Sequence, residues 1–597
     1  MAAHSLGEDR EFAYRRLIEL GIALSAERNH DRLLEMILLG AKELANADGG
    51  SLYLVEAGRE LRFVIMRNDT MGIAYGGTTG APIPFPPVPL RDPDGAANTK
   101  SVVATAAVTG QTINLEDAYN APGFDFSGTR AFDARTGYRS QSFLTVPLKN
   151  HDEDVVGVLQ LINARSSDGH TIAFPAEGTP LVEALASQAA IALENQQLIA
   201  AQRNLFRSVL KIFDGAIDAK SAYTGGHCHR VPELTNRLAR AADAARDGPF
   251  ADFHLTEDEW YELEVAGGLH DCGKVTTREF VVDKATKLET IYNRIHEIRT
   301  RFEVVKRDTE IEYLRAVAAG GDEPALRAAR DARQAELDDD FAFVAECNMG
   351  GECMAPEKIA RIRHIAEITW LRTLDDSLGM SWEERARQPQ TKETLPVVEQ
   401  LLADKPGHVI EHDSAPIPPD NRWGFAIKPP PHKANLGEVY NLSIRRGTLT
   451  DEERYHINDH IVQTIIMLET LPYPKNLRRV PEWAGGHHEK MDGTGFPRGL
   501  KREQMSIPAR IMMIADIFEA LTARDRPYKA GKNLSECIDI MAHMSREHHI
   551  DPDLFELFLK SGVYRAYADI FLLPEQIDEV DIAHYLGAPN SREAARA

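Results

Sequence analysis

The sequence predicts a multidomain protein. An N-terminal α+β domain, with helices flanking an antiparallel sheet, is followed by a long connecting helix and then by a helical region with an insertion. Three observations indicate this: 597 residues exceed one ordinary domain, strand periodicity is concentrated in residues 51–163, and helical periodicity dominates afterwards.

The N-terminal part changes from helical to strand periodicity. After a predicted tail at residues 1–9, apolar residues recur at helical spacing in residues 14–24 and 31–38. The strand-like segments that follow are residues 51–55, 61–65, 142–148 and 155–163. The last two flank the polar segment 151–154, which is therefore predicted to be a hairpin turn.

A connecting helix is predicted over residues 180–212. After Pro180, apolar side chains recur at helical spacing without a further Gly or Pro. One interpretation is a coiled coil between two parallel copies of the chain, and we accordingly expect a homodimer. The other is packing of this Ala-rich helix on its own domains, because the heptad register is loose.

Two motifs far apart in the sequence offer groups that bind metal ions. His270-Asp271 follows an apolar helical run at residues 260–266, which predicts a buried position where an unpaired carboxylate is costly. The second motif is the adjacent pair His487-His488. Similar dipeptides that lack this context are expected to be structural or solvated: His30-Asp31, His151-Asp152, His412-Asp413 and His548-His549. The two motifs together indicate a divided metal site suited to phosphodiester hydrolysis.

A helical insertion is predicted at residues 285–440. Charged helical sequence predicts a helical hairpin, and the Pro-rich segments 413–420 and 428–431 predict an irregular flap after it. An arm for docking or dimerisation and an inert helical extension both fit this pattern.

Composition argues against several classes of protein. The 68 Lys and Arg against 91 Asp and Glu leave a formal charge of −23, which disfavours binding to a nucleic-acid polymer. Five cysteines form no compact framework, so disulfides are disfavoured and a reducing compartment is favoured. No signal-like start and no apolar run of about 18 residues occur, so we expect a cytoplasmic protein without a membrane span.

From residue 208 onward the motifs resemble those of the HD-GYP family, bacterial phosphodiesterases that open cyclic dinucleotides. The segment 218–231 is similar to the opening motif, 449–453 to the third, and 507–521 to the last. The resemblance implies an all-α HD-GYP catalytic domain over residues 208–597, with two divalent metal ions, iron or manganese. The implied metal ligands are His227, His270, Asp271, His460, His487, His488 and Asp516.

The resemblance also implies the roles of these residues. Asp271 is predicted to bridge the two ions, with His227, His270 and Asp516 on one of them and the remaining histidines on the other. Asp271 and Lys274 are the predicted catalytic residues. The predicted substrate-binding residues are Lys274, Arg526, Lys529, Gly493 and Gly495. For Arg526, a structural ion pair with Asp525 or a buried Glu is the alternative.

Two positions depart from the family pattern. Phe496 replaces the usual Tyr, which removes a phenol but keeps an aromatic face for stacking a base or packing the loop. Tyr223 stands where some members have a Glu ligand, so we expect two metal ions rather than three.

Residues 10–197 resemble a GAF domain. The segments 107–119 and 132–140 are similar to GAF domains of cyclic-nucleotide phosphodiesterases. The resemblance implies a sensor domain that holds a small cyclic nucleotide between sheet and loops. A ligand-free GAF domain that serves only in dimerisation or signalling is the alternative.

Together the resemblances imply sensor-regulated hydrolysis of cyclic di-GMP to pGpG and on to GMP. Hydrolysis of cyclic GMP-AMP is an alternative, because the metal motifs select the phosphodiester and not the base. A non-catalytic scaffold that binds a dinucleotide is another. A nucleotidase with a single metal ion is disfavoured, because it would need neither His460 nor His487-His488.

Overall fold

The computed structural model describes residues 2–220, 226–351, 353–389, 394–523 and 531–586. The chain divides into two compact units, Met1–Phe206 and Arg207–Ala597. The boundary falls inside one continuous helix, Thr179–Lys220, which includes the whole predicted connecting segment 180–212.

The N-terminal unit is built on an antiparallel sheet. Its strands are β1 (Ala47–Glu56), β2 (Glu60–Asn68), β3 (Ile73–Gly76), β4 (Val88–Pro89), β5 (Ile113–Leu115), β6 (Phe143–Lys149), β7 (Val155–Arg165) and β8 (Thr171–Ile172). The order is β3-β2-β1-β7-β6-β5, with β4 beside β2 and β8 beside β7. The pairing of β6 with β7 confirms the predicted hairpin at residues 151–154.

Helices cover this sheet and complete its core. They are α1 (Ala2–Ala26), α2 (His30–Ala45), α3 (Val102–Thr109), α4 (Ser127–Thr136) and α5 (Thr179–Lys220). Leu159 of β7 packs with α1, α2 and α5, whereas its neighbour Val158 packs with α3. Both faces of the sheet are therefore buried, because adjacent side chains of a strand point to opposite faces.

The predicted tail at residues 1–9 differs from the structure, because α1 begins at Ala2 and its backbone is helical from there. Ala, Leu and Glu in this stretch favour helix formation, so the helix extends towards the N-terminus.

The C-terminal unit is helical, as predicted. Its remaining helices are α6 (His227–Asp243), α7 (Glu257–Leu269), α8 (Glu279–Val282), α9 (Ile295–Ala318), α10 (Glu323–Asn348), α11 (Pro356–Ala366), α12 (Trp382–Arg387), α13 (Glu438–Leu442), α14 (Asp451–Glu469), α15 (Val480–Gly485), α16 (Ile507–Thr522), α17 (Leu534–Arg546), α18 (Pro552–Lys560), α19 (Val563–Phe571) and α20 (Ile582–Leu586). The expectation that this domain is entirely α-helical was wrong in one respect, because the insertion contains two short antiparallel ladders. They pair β9 (Thr369–Arg372) with β10 (Val397–Gln400) and β11 (Val409–Ile410) with β12 (Ala434–Asn435).

Local sequence determines where the helices that carry the site begin. Capping boxes start α7 at Thr256 with Glu259 and α14 at Thr450 with Glu453. In each box the threonine oxygen accepts a free N–H of the first turn while the glutamate accepts the N–H of the threonine. Helix α7 then ends at Leu269, directly before the His270-Asp271 pair.

The insertion has a hydrophobic core of its own. Helices α9 and α10 form an antiparallel hairpin joined by ion pairs, among them Lys306 with Asp338 at 2.6 Å. Their inner faces bury a cluster that includes Phe302, Leu337 and Ile362, together with α11, α13 and the residues Leu401 and Leu402 that follow β10. The insertion therefore folds around a core of its own, and the choice between an arm and an inert extension stays open.

Within the described ranges, no helix combines the length and the apolar character that crossing a bilayer requires.

Leu337 is fully buried in the hydrophobic core of the insertion. Leu337→Ala should therefore destabilise the insertion by about 2–5 kcal/mol, the usual cost of such a cavity. Hydrogen exchange followed by mass spectrometry should show faster exchange in α9 and α10. The matched control is Leu314→Ala on α9, whose side chain is 55% exposed. Equal exchange in the two variants would contradict an independently packed core.

Candidate metal centre

The seven predicted metal ligands come from five separate segments of the C-terminal unit. His227 is the first residue of α6, His270 and Asp271 follow α7, His460 lies inside α14, His487 and His488 follow α15, and Asp516 lies inside α16. The structure brings their side chains together in two groups. In each group the potential ligand atoms all lie within 4.8 Å of one another: His227, His270, Asp271 and Asp516 in the first, and His460, His487 and His488 in the second.

Asp271 stands between the two groups. Its Oδ2 atom lies 2.9 Å from Nε2 of His227 and 3.2 Å from Nε2 of His270. Its Oδ1 atom lies 3.3 Å from Nε2 of His460 and 4.0 Å from Nε2 of His487. One carboxylate therefore presents one oxygen to each group, which is the arrangement a bridging ligand requires.

A close helix contact holds Asp271 in this position. A 3₁₀ helix, Cys272–Thr276, follows Asp271 and packs against α14, where the Gly273 N–H donates to Thr464 Oγ1 at 2.9 Å. A Cβ atom at Gly273 would lie 2.0 Å from the His460 carbonyl oxygen. Only glycine permits this approach, which brings Asp271 beside His460.

Three of the histidines are oriented by their own backbone. In each, the Nδ1–H group donates to the carbonyl oxygen three residues earlier: His270 to Gly267 at 2.7 Å, His460 to Ile457 at 2.6 Å and His487 to Ala484 at 2.7 Å. This bond fixes the tautomer and leaves Nε2 as the atom with a lone pair.

His227 is held by a residue that the sequence reasoning missed. Its Nδ1 lies 2.5 Å from Oε2 of Glu519, a carboxylate that also accepts a 2.7 Å hydrogen bond from Nε of Arg230. Glu519 is three residues after Asp516 on α16, and Arg230 is three residues after His227 on α6. Helical spacing therefore placed both beside a predicted ligand.

The donor set fits a metal ion. Nε2 of His270 and Nε2 of His487 are buried and have no hydrogen-bond partner among the described residues. A buried lone pair without a partner is costly. A cation at each group would satisfy these nitrogens, and mixed imidazole and carboxylate donors suit iron, manganese and zinc.

Electrostatics also favours cations here. Burial lowers the pKa of His487 to about 4 and the pKa of His488 well below its ordinary value, so both rings are neutral at pH 7. Burial by itself would raise the pKa of Asp271, but the nearby ammonium group of Lys274 lowers it well below its ordinary value. Burial and Lys274 lower the pKa of His227, yet hydrogen bonds with Asp271 and Glu519 raise it to about 10. The half of the site that contains Asp271 therefore attracts positive charge.

Lys274 lies beside the bridging carboxylate. Its Nζ is 2.5 Å from Oδ2 of Asp271, and the side chain is 29% exposed. The 3₁₀ helix brings the two together at a spacing of three residues. Lys274 therefore lies beside Asp271, and its catalytic and substrate-binding roles stay predictions.

The other predicted substrate contacts are less directly placed. Gly493 has a φ of +84°, and a Cβ at Gly495 would lie 2.3 Å from the Lys490 nitrogen, so both glycines are required by the fold of their loop. Their contact with substrate stays a prediction. Arg526 and Lys529 lie outside the described residues, as does Tyr223.

Phe496 packs against the centre. Its ring stacks on the His488 ring with centroids 5.0 Å apart and planes inclined by 12°. An aromatic face here was predicted either to stack on a base or to pack the loop, and the structure shows that it packs.

Comparison with known protein families agrees with the two units. The family model described as GAF domain matches residues 29–193, and the one described as HD domain matches residues 396–554. The chain contains a GAF domain and an HD domain. The HD match includes four of the seven predicted ligands, from His460 to Asp516, and the structure adds the other three from the segment N-terminal to it.

Several curated relatives share parts of the chain. A 3'3'-cGAMP-specific phosphodiesterase of Vibrio cholerae is 43% identical over 83 residues, 14% of this chain and 19% of its own length. A cyclic di-GMP phosphodiesterase of Pseudomonas aeruginosa is 47% identical over 79 residues, which are 13% of this chain and 18% of the relative. A cyclic di-GMP phosphodiesterase of Thermotoga maritima is 35% identical over 139 residues, which are 22% of this chain and 37% of the relative. The chain therefore spans less than two fifths of the length of each.

The Glu519 contact predicts that Glu519→Gln weakens metal binding about 10–100-fold, the usual effect of losing a carboxylate that orients a ligand histidine. Competition with a chelating indicator measures this affinity. Glu438→Gln is the matched control, because Glu438 is also buried and paired with an arginine, Arg301 at 3.0 Å, but lies in the insertion. Unchanged affinity in Glu519→Gln would contradict the orienting role.

Proposed function

We propose that this protein is a phosphodiesterase of the HD-GYP type that hydrolyses a cyclic dinucleotide. The observation that carries the proposal is the position of Asp271, whose two carboxylate oxygens each face one group of ligands. The names of the relatives support the substrate class. The proposed substrate is cyclic di-GMP, with pGpG as the first product and GMP as the second.

The proposed cofactors are two divalent metal ions, iron or manganese. When bound, such a pair supplies a water of lowered pKa and positive charge that stabilises the phosphate in the transition state. The buried nitrogens of His270 and His487 support this assignment, because each lacks a hydrogen-bond partner in the described part of the chain.

The residues of the chain determine where the phosphodiester is held. Asp271 keeps the two groups of ligands at one position, and Lys274 places an ammonium group beside them that offsets phosphate charge. Arg526 and Lys529 are proposed to contact the second phosphate, because they follow α16 on the segment after Asp516. The planar guanidinium of arginine donates several hydrogen bonds at once, and the ammonium of lysine is a compact charge, so both suit a phosphate.

Two alternatives lead to different results in one experiment. Cyclic GMP-AMP presents the same kind of phosphodiester to the centre, and one relative is named for that substrate. A non-catalytic scaffold would bind a dinucleotide without cleaving it. The near-complete burial of Asp271, at 2% exposure, favours turnover over simple binding, because a binding surface has no need of a buried carboxylate between two groups of imidazoles.

The test is chromatography of products from cyclic di-GMP and cyclic GMP-AMP, with metal analysis of the same protein. We expect cleavage of cyclic di-GMP to pGpG with two metal ions per chain. Asp271→Ala should reduce turnover below detection, because two cations without a shared carboxylate repel each other.

Asp152→Ala is the matched control, since Asp152 also follows a histidine but lies 66% exposed in the N-terminal hairpin. Turnover by the Asp271→Ala variant with metal bound would refute the mechanism. Tight binding of cyclic di-GMP by the metal-loaded wild-type protein without any product would establish the scaffold instead.

For the GAF domain we propose regulation by a small ligand, with a cyclic nucleotide as the predicted class. A cavity of 650 Å³ in this unit has a polar lining that includes Asp48, Tyr138, Arg139 and Arg165. Tyr138 donates to the buried carboxylate of Asp48 at 2.6 Å. The volume lies in the range of about 300–1,000 Å³ that is usual for small-molecule sites.

For the assembly we propose a parallel homodimer through α5. Ile191, Leu198 and Leu205 recur every seven residues and are 50%, 59% and 67% exposed. The same spacing continues to Ile212, at 71%. Apolar residues at a seven-residue repeat bury one another when two helices supercoil, and their exposure here supports the coiled coil over packing on the chain's own domains.

The double variant Leu198→Glu with Leu205→Glu should therefore dissociate the dimer. We expect the dissociation constant to rise at least about 100-fold, because a charge is costly in an apolar seam. Sedimentation velocity measures it. The control is Leu314→Glu on α9, a leucine of similar exposure at 55%. A wild-type monomer, or a dimer that survives both substitutions, would contradict the proposal.

A further inference from the structure

The insertion ends in a loop that contacts the metal centre indirectly. We call residues 411–433 the flap. The ladder of β11 with β12 closes its base, because Val409 pairs with Asn435 and Ile410 with Ala434. None of the seven predicted ligands lies in the flap, so its sequence gives no reason to connect it with the centre.

Hydrogen bonds join the flap to the loop that follows His488. The N–H groups of Ala426 and Ile427 both donate to the Pro497 carbonyl oxygen, at 2.7 and 3.2 Å. In the opposite direction, Nε of Arg498 donates to the Trp423 carbonyl oxygen at 2.8 Å. The two segments therefore hold each other through reciprocal bonds to the backbone.

Apolar packing joins the flap to α14. Phe425 is 4% exposed and is buried with Ile461, Val462 and Ile465 of that helix. The Trp423 ring lies parallel to the Phe425 ring, with centroids 5.7 Å apart and planes inclined by 11°. These contacts begin at the residue directly after His460, so the flap packs on the helix that carries one ligand.

The loop on the other side carries a second ligand. Phe496 packs against the same apolar cluster, its ring stacks on His488, and its N–H donates to the His488 carbonyl oxygen at 3.1 Å. Nε2 of His488 is 3.1 Å from Nε2 of His460. The flap is thus in contact with both structures that position these two imidazoles.

We propose that the flap is a positioning element for the half of the centre formed by His460, His487 and His488. It presses Phe496 onto His488 and holds α14 at the same time, so binding of a metal ion at this half depends on the flap. The inference rests on the proposed metal centre. The other half depends less on the flap, because Glu519 and Gly267 orient His227 and His270 from α16 and α7, although Asp271 is held against α14 through Gly273.

The first test measures binding of Mn²⁺ to the full chain by competition with a chelating indicator, and counts ions per chain. Phe425→Ala removes the contact with α14, and Phe496→Leu removes the flat ring while staying apolar. Each variant should weaken one of the two Mn²⁺ sites about 10–100-fold, as expected when support for a ligand is lost, and change the other less than about threefold.

Three controls separate positioning from general destabilisation. Phe496→Tyr keeps the stacked ring and should bind both ions as the wild type does. Leu337→Ala disturbs the core of the insertion away from the flap, and Trp382→Ala changes a residue of the insertion that is 79% exposed. Both should leave the two sites within about threefold. Wild-type binding by Phe425→Ala, or equal weakening of both sites in a folded variant, would overturn the proposal.

A second measurement works without any metal. In the metal-free protein, Phe425→Ala should speed hydrogen exchange at the N–H groups of Phe496 and Arg498, which bond to His488 and Glu489. Exchange in α6 should not change. If the wild type binds fewer than two ions, the two-metal function fails, and this measurement still decides the role of the flap. Unchanged exchange in the loop would overturn that role whatever the metal content.

Discussion

The C-terminal unit depends on placing one carboxylate where water hardly reaches. Asp271 is 2% exposed, and a buried carboxylate is stable only when opposite charge and hydrogen-bond donors surround it. Lys274 supplies the charge, and imidazoles from α6, α14 and the two segments after α7 and α15 approach its oxygens. The segments that carry these groups must therefore approach one another around Asp271, and this requirement fixes the distance between them. Gly273 shows the consequence, since a Cβ atom at this position would collide with the backbone of α14.

The imidazole rings of the candidate ligands are oriented in two different ways. His270, His460 and His487 each donate to a carbonyl three residues earlier, so local helical geometry fixes their tautomer. His227, the first residue of α6, is oriented by Glu519 on α16 instead. The centre therefore combines three ligands that are oriented wherever their segments fold with one that is oriented only after α6 and α16 pack. Arg230 completes that contact by pairing with the same glutamate.

The insertion is more closely integrated than its charged sequence indicates. Its helices bury their own core, and Leu442 of α13 belongs to that core, so it is continuous with the segment leading into α14. Lys284, directly before the insertion, pairs with Glu453 of the capping box that begins α14. The flap contacts the same helix further along, beside His460. The insertion and the residue directly before it therefore contact α14 at two places, which helps to stabilise the ligand on that helix.

The sequence by itself identified the candidate metal ligands, because their residue types stand in short motifs. Most helices and the four long strands of the N-terminal sheet were also predictable, since hydrophobic periodicity is a local property, but the short ladders of the insertion were not. The tertiary structure alone decided how Asp271 divides its two oxygens, that Glu519 supports His227 across 292 residues of sequence, and that the flap holds Pro497. The physical reason is that these contacts join distant segments through single atoms or backbone carbonyls, which leave no pattern in the residues between them.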